Sequence, residues 1–350
     1  MRVVVVGASG NVGTSVLRAL ADEPAVESVL GLARRRPKLG FPKVEWRTAD
    51  ITRSELAPHF AGADVVIHLA WLIQPSRDLG TLHATNVDGS ARVFGAVAEA
   101  KVPSLVYASS VGAYSPGPKD RRVDESWPTG GVAASFYSRH KSEVERLLDG
   151  FEQEHPEMRV VRLRPGLIFM REAASEIRRL FVGPFLPNPL VRRHLIPVVP
   201  AAERLVFQAV HSHDVGQAYR LAAVGDVRGP FNVAAEPVLD QPELARILDA
   251  RQLSLPGGLL RAAAAASWRL RLQPSEPGWV DMGLAVPVMD VTRAREQLGW
   301  RPRHGADDAL RDLLEGLRAG EGLDTPPLEP GAAGPLRARE LLTGVGRRAA

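Results

Sequence analysis

The stretch Met1-Arg-Val-Val-Val-Val-Gly7-Ala-Ser-Gly10-Asn-Val-Gly13 decides the fold. Val3 to Val6 make a continuous β-branched run, which reads as a strand buried on both faces. Gly7, Gly10 and Gly13 follow at equal spacing, and Val12, Val16, Leu17 and Leu20 take up a helical period. Strand, glycine turn and helix in that order are the context of a dinucleotide-binding fingerprint. Gly7 allows the tight turn, Gly10 lets the backbone approach a pyrophosphate, and Gly13 lets helix and strand pack closely. Ser9, Asn11 and Val12 lie between these glycines and belong to the same expected cofactor-binding surface. The free N–H groups and the dipole of the helix start favour phosphate charge there.

Outward from this turn, strand patterns at 27–33, 44–49, 63–70, 105–109 and 160–164 alternate with helical patterns, the longest at 79–100 and 133–151. That alternation predicts an α/β fold, a Rossmann-type doubly wound parallel sheet with ligands at the carboxyl edge of its strands. Residues 1–165 read as the NAD(P)-binding domain. Beyond Gly166 the alternation fades into strands at 207–211 and 231–235 and helices at 214–224, 242–251, 259–270, 292–298 and 307–317. Residues 166–324 thus read as a smaller mixed α/β lobe, mainly substrate-binding, with some return to the Rossmann core. From Thr325 the composition turns to Pro, Gly, Ala and Arg, so 325–350 is expected to be a disordered tail, weakly helical at 336–342.

With 350 residues the chain can build a large core, and 45% apolar with 24% charged residues is ordinary for a soluble globular protein. The absence of cysteine excludes disulfides, thiolate metal sites and cysteine nucleophiles, and no metal is expected. No apolar run reaches the roughly 20 residues that span a bilayer. A net charge of +4 with scattered arginines argues against a nucleic-acid surface. The expectation is a cytoplasmic protein with a small-molecule substrate, and neither nucleic acid nor membrane as partner.

The strongest chemical signal is Tyr137-Ser-Arg-His-Lys141. Positions four apart share a helix face, so phenol and ammonium lie side by side. A nearby cation favours the phenolate, lowering a pKa that starts near about 10. A tyrosine so tuned can exchange a proton with a substrate hydroxyl or carbonyl. Ser109 and Ser110 end the fifth strand on the ligand edge, where a hydroxyl can hydrogen-bond a substrate oxygen.

These features fall in order with Asp50-Ile51, His68-Leu69-Ala70, Asn86-Val-Asp-Gly-Ser90, Tyr114, Arg164-Pro165-Gly166, His211-Ser-His-Asp-Val215, Phe231-Asn-Val and Asp290-Val-Thr-Arg-Ala-Arg-Glu-Gln-Leu-Gly-Trp-Arg-Pro302. As a set they resemble the extended short-chain dehydrogenase/reductases, often called the NAD-dependent epimerase/dehydratase family. The resemblance implies that Ser110, Tyr137 and Lys141 are catalytic. Tyr137 would be the acid/base, and Lys141 would hold the nicotinamide ribose and lower the tyrosine pKa. It further implies that Asp50 and Ile51 border the adenine, that Leu69 and Ala70 line the cofactor, and that Asn86 supports the site. Ser109 would also face the cofactor, and Pro165 and Gly166 would approach the nicotinamide by backbone. The family's frequent dimer suggests a homodimer through the helices near 80–100 and 133–151.

An NAD site usually carries an acid at the end of the second strand to grip the ribose 2′-OH. Here that place is Ala33-Arg34-Arg35-Arg36, and Arg34 and Arg35 can pair with a 2′-phosphate. NADP is therefore expected as the preferred cofactor, with NAD as the alternative. Sugar-nucleotide members often carry Asn where this chain has Leu167, and Arg where it has Phe207, with Arg204 a nearby substitute. Trp71 stands where a small residue is common, and Leu72, Ile73, Phe169, Met170, Phe181 and Phe185 add apolar candidates. Trp71, Ser110, Leu167, Phe169 and Arg204 are the substrate-contact candidates. The leading expectation is hydride transfer between nicotinamide and a carbonyl or secondary alcohol. A nucleotide-sugar epimerase or dehydratase is the alternative, and a non-catalytic NADP(H)-binding sensor or assembly protein is a third.

Overall fold

The computed structural model describes residues 1–183 and 198–333. Phe185 and the stretch 336–342 lie outside these residues. The amino-terminal half alternates as β1 (Arg2–Val6), α1 (Asn11–Ala21), β2 (Ser28–Ala33), β3 (Val44–Thr48), α2 (Ala57–Phe60) and β4 (Val65–His68). It continues through α3 (Leu79–His83), a π-helical turn (Ala84–Asp88), α4 (Gly89–Glu99), β5 (Ser104–Ala108), β6 (Arg122–Val123), α5 (Phe136–Glu154) and β7 (Arg159–Pro165).

The second half runs β8 (Leu167–Phe169), α6 (Ala174–Ile177), β9 (Val198–Ala201), β10 (Ala209–His211), α7 (Ser212–Val224) and β11 (Gly229–Val233). After it come α8 (Gln241–Leu248), β12 (Arg251–Ser254), α9 (Gly257–Arg269), α10 (Gly278–Ala285), β13 (Val288–Met289), α11 (Thr292–Glu296) and α12 (Ala306–Ala319).

Seven strands form one parallel sheet in the order β11-β7-β5-β4-β1-β2-β3. The order reverses between β1 and β4, and this switch point opens a crevice at the carboxyl ends of the strands. Each face of the sheet carries its own core. Val16, Leu17 and Leu20 of α1 pack with Val215, Ala218 and Ala222 of α7 over Val3, Val5 and Ile67. On the other face Phe60, Val93, Phe94, Val97, Val144 and Leu148 cover Val4, Val6 and Val66. The alternate residues of β1 thus serve opposite cores, which is why its valine run has no polar face. On the helices expected to form a dimer interface, Val93, Phe94, Val97 and Leu148 are core, whereas Leu147 is exposed.

Three features differ from the sequence reading. The helix expected at 79–100 is interrupted by the π turn, which brings Asn86 and Ser90 inward. The helix α10 lies in a Pro- and Gly-flanked stretch that carries no clear helical period. The tail does not become disordered at Thr325: Thr325 is 1% exposed, and Leu328, fully buried, packs on Met170 and Ala173. Those contacts bury apolar surface that the compositional reading left to solvent.

The glycine turn makes unequal demands on its residues. A Cβ on Gly13 would stand 2.5 Å from the Gly7 carbonyl oxygen, whereas one on Gly10 would meet that oxygen at 3.8 Å. Gly10 also has an ordinary extended backbone. We therefore expect Gly13→Ala to lower unfolding free energy by about 1–3 kcal/mol. Gly10→Ala should change it by no more than about 1 kcal/mol. Urea denaturation of the two variants measures the contrast.

Candidate active site

The crevice begins where β1 ends. Gly7 takes φ +87°, and the N–H groups of Gly7 and Ala8 donate to the Leu32 carbonyl at 2.9 and 3.2 Å. A Cβ on Gly7 would lie 2.6 Å from the Ala70 nitrogen, so the absent side chain lets the loops after β1 and β4 touch. Leu69 is fixed there by its N–H bond to Val6 at 2.8 Å. Gly7, Leu69 and Ala70 are thus brought together. Ser9, Gly10, Asn11 and Val12 are all half-buried at the start of α1. The carboxyl of Glu176 lies near the Asn11 backbone N–H there, and burial pushes it up to about 7 against the charge of Arg179 and the influence of that N–H.

Arg34, Arg35 and Arg36 are exposed just past the end of β2. Asp50 lies beside this run. Burial would raise its carboxyl, but two bonds from Thr52 and the charges of Arg34 and Arg53 outweigh burial and hold it low. The side chain of Ile51 is turned into the core against Gly89.

At the other side of the crevice, Ser110 stands two residues past the end of β5 and its hydroxyl accepts from the Gly112 N–H at 3.0 Å. Ser135 caps α5, placing Tyr137 and Lys141 on the first turns of that helix. The Ser110 side chain lies close enough to Tyr137 to favour its ionised form. Lys141, 2% exposed, donates to the Ala108 carbonyl at 2.6 Å and lies 3.5 Å from the centre of the Trp71 ring. Ser110, Tyr137 and Lys141 are therefore gathered at one edge of the sheet.

Their electrostatics correct one expectation. Burial dominates the phenol and pushes Tyr137 up to about 12, with Ser110 opposing. Lys141 does not draw the phenol toward neutrality here. Its ammonium is engaged by Ala108 and Trp71, lies 5.8 Å from the Tyr137 ring centre, and is itself depressed well below the lysine range by burial, against the Glu145 charge.

Beneath these residues runs a buried polar network. Glu145, fully buried one turn past Lys141, accepts from Arg164 Nε at 2.9 Å, from an Arg164 terminal nitrogen at 3.0 Å and from Arg162 at 2.9 Å. Burial would raise this carboxyl, but the two guanidiniums and Ser109 hold it well below the usual carboxylate range. Arg164 also donates to the Tyr114 hydroxyl at 3.0 Å, and Tyr114 donates to Asn232 Oδ1 at 2.7 Å. Asn232 Nδ2 reaches the Asp290 carbonyl at 2.9 Å. Tyr114, Arg164, Asn232 and Asp290 thus belong to one scaffold.

Several expected contacts find other partners. The hydroxyl of Ser109 donates to Glu145 at 2.5 Å, so it faces the network. The Asn86 amide pairs with both the N–H and the carbonyl of Leu72, at 2.7 and 2.8 Å, and holds the loop that carries Trp71. Pro165 ends β7, and the missing Cβ of Gly166 is demanded by the Gln208 carbonyl at 2.5 Å. Arg204 donates to the carbonyls of Leu284 and Gly117, at 2.9 and 2.7 Å. Phe169 packs among Ala174, Leu313 and Leu239, and Met170 is core. Leu167 is exposed on β8.

Sequence reasoning missed Glu145, Glu176 and Trp279. Glu145 follows Lys141 by four residues on the same face of α5, a signal that was present. Trp279, on the unforeseen α10, lies 4.8 Å from Tyr137 between ring centres.

Comparison with known proteins identifies the family and the fold. The model of the NAD dependent epimerase/dehydratase family matches residues 3–181. An uncharacterized protein of Mycobacterium tuberculosis is 28% identical over 328 residues, covering 92% of this chain. The chain spans only 31% of that relative's length. A ketoreductase of Stigmatella aurantiaca, named for 4-hydroxy-2-methyl-3-oxo-4-farnesyl-3,4-dihydroquinoline-1-oxide, is 25% identical over 92% of this chain and 98% of its own. Among solved structures, the UDP-glucose 4-epimerase of Thermotoga maritima with UDP-glucose superimposes with a TM-score of 0.67 at 19% identity, over 91% of this chain and 99% of that one. It shares the fold.

The network makes the fold sensitive to the loss of Glu145. Glu145→Leu leaves Arg164 buried with no carboxylate and should cost about 3–5 kcal/mol. Because the native carboxyl is held low, its stabilisation is full at neutral pH and is lost as pH falls below the carboxylate range. Urea unfolding at pH 7 and at pH 3 should show the variant's deficit shrinking in acid.

Proposed function

The chain belongs to the NAD dependent epimerase/dehydratase family, and from that premise we propose that it is an NADP(H)-preferring oxidoreductase acting on a carbonyl or secondary alcohol. The observation that carries the reading is the joining of Ser110, Tyr137 and Lys141 at the carboxyl edge of the sheet, across the switch point from the glycine turn. The residues fit a dinucleotide. Only the Gly7 carbonyl oxygen, at 3.8 Å, lies near where a Gly10 Cβ would stand, and α1 begins without a side-chain cap. Gly7 to Gly13 would hold the pyrophosphate, Arg34 and Arg35 a 2′-phosphate, and Leu69, Ala70 and Pro165 the rest of the cofactor. When bound, the nicotinamide supplies or accepts the hydride.

The chain's own residues supply the proton. A phenol pushed up to about 12 is protonated at neutral pH, so Tyr137 is set to donate to a carbonyl oxygen as negative charge develops there. Ser110, beside the same phenol, steadies the oxygen that receives the proton. Lys141 stabilises the phenolate left behind, and its own buried charge gains from that partner. Reprotonation from solvent resets the site.

A nucleotide-sugar epimerase or dehydratase is the second reading, favoured by fold neighbours that include UDP-sugar epimerases. Against it stand Leu167, and Phe207 packed in the second lobe beside Leu239. Arg204, the substitute for a diphosphate-binding arginine, has donors committed to main-chain carbonyls. The ketoreductase relative favours the first reading, since its named substrate is a carbonyl compound without a nucleotide.

Net consumption of NADPH with a panel of carbonyl compounds tests the choice, because an epimerase returns the hydride and leaves the cofactor unchanged. Tyr137→Phe should lower kcat by about 10²–10⁴-fold with NADPH affinity nearly intact. Unchanged activity refutes the mechanism. Arg34→Ala with Arg35→Ala should weaken NADPH at least about tenfold and leave NADH nearly unaffected. A wild-type protein that binds NADH tenfold more tightly than NADPH sinks the preference.

The Glu176 carboxylate shares the start of α1 with the proposed pyrophosphate position. It is neutral below about pH 7 and anionic above, so NADPH affinity should fall as pH rises from 6 to 8. Glu176→Gln should flatten that dependence in a fluorescence titration.

A further inference from the structure

Tyr137 is enclosed by rings. The Trp279 ring lies 4.8 Å from it and the Trp71 ring 5.9 Å, centre to centre, and Phe181 lies edge-on against Trp279 at 4.9 Å. Val111, Val132 and Met282 complete the apolar wall. Within this wall the indole N–H groups of both Trp71 and Trp279 are buried and have no acceptor. A buried donor left unpaired costs about 1–3 kcal/mol, so two of them around one phenol mark a surface shaped for an acceptor-bearing ligand. Charge on this wall disfavours an anionic ligand. Glu276, three residues before Trp279, caps the start of α5 through the Phe136 N–H, and the Lys141 ammonium is spent on Ala108 and Trp71.

We propose that the substrate is an uncharged, flat, ring-bearing carbonyl compound, held against Trp279, Trp71 and Phe181, with a second acceptor oxygen matched to the indole N–H groups. The inference rests on Tyr137 being the proton donor. In the reaction the substrate's carbonyl carbon gains a hydride from reduced nicotinamide, its oxygen gains the Tyr137 proton, and a secondary alcohol and oxidised nicotinamide leave. Trp279 is the specificity residue. Its large face supplies stacking area that no aliphatic side chain offers, and aromatic geometry rewards a planar partner beyond simple burial. Recognition by stacking and by hydrogen-bond donors, with no guanidinium clamp, selects against a nucleoside diphosphate.

The test compares 6-methoxy-2-acetonaphthone, which carries rings and a second oxygen, with cyclohexanone and UDP-glucose on the full-length protein with NADPH. Wild type should reduce the naphthyl ketone with the lowest KM. Trp279→Leu should raise that KM about three- to tenfold, shifting kcat less, while the KM for cyclohexanone moves less than twofold. Trp279→Phe keeps a ring and should recover most of the loss, which separates stacking from a folding defect. Equal KM shifts for both ketones in Trp279→Leu overturn the proposal, as does tighter binding of UDP-glucose than of the naphthyl ketone. Binding is read independently of turnover by indole fluorescence in Tyr137→Phe with NADP⁺. Saturable quenching by the naphthyl ketone, with no carbonyl reduced by wild type, supports the ring-binding wall and refutes the oxidoreductase reading. Turnover of both ketones without ring selectivity does the reverse.

Discussion

The carboxylate of Glu145, held between Arg162 and Arg164, is the constraint on which the site depends. Alternate residues of a strand share a face, so β7 presents both guanidiniums to the same helix, α5. Tyr137, Lys141 and Glu145 are spaced by four on that helix and form one stripe. Anchoring Glu145 fixes the rotation of α5 about its axis, and with it the direction of Tyr137. The same carboxylate takes the Ser109 hydroxyl, which fixes the end of β5 and so the place of Ser110. One buried ion thus registers both halves of the Ser110–Tyr137 pair. Desolvating such a group is expensive, and an apolar core could fill the space at less cost. Its geometric service to the pair above it is a reason to retain it.

Above this polar floor the surroundings reverse. Tyr137 meets Trp71, Trp279, Met282 and Val132, and the two environments act on one phenol from opposite sides. The apolar side keeps the proton on the oxygen, and the floor keeps the oxygen in place. Lys141 sits at the boundary, its ammonium bonded to a strand carbonyl and pressed on an indole face. A charge in so little solvent interacts strongly with any charge that forms nearby. The site is arranged to respond to a phenolate when one appears, without forming it beforehand.

Much of this was legible in the sequence where one residue type performs one physical task. The valines of β1 and the glycines at 7 and 13 announce buried strand and close packing, and both stand where the pattern put them. Tyr137 and Lys141 were visible through helical spacing. What escaped depends on contacts distant in the chain. Ser109 reads like any strand-end hydroxyl until Glu145, 36 residues on, is known to face it. Trp279 lies in the first turn of α10, next to Pro277 and Gly278, where proline and glycine dominate the local signal, and only tertiary packing sets its ring against Tyr137. The shift of the phenol was misjudged because a charge four residues away is easy to see and desolvation by remote side chains is not.

The strand β11 pairs with β7 at the edge of the sheet, yet it lies beyond β8, α6 and α7 in the chain. During synthesis, β7 must wait as an open edge, its outward amides unpaired, until the chain through Val233 has been made. Asn232 arrives with that strand and closes the hydrogen bond to Tyr114. The lobe that would select the substrate is therefore stitched through the half that would hold the cofactor. A graft that exchanges this lobe for another must bring its own version of residues 229–233, or inherit an incomplete sheet.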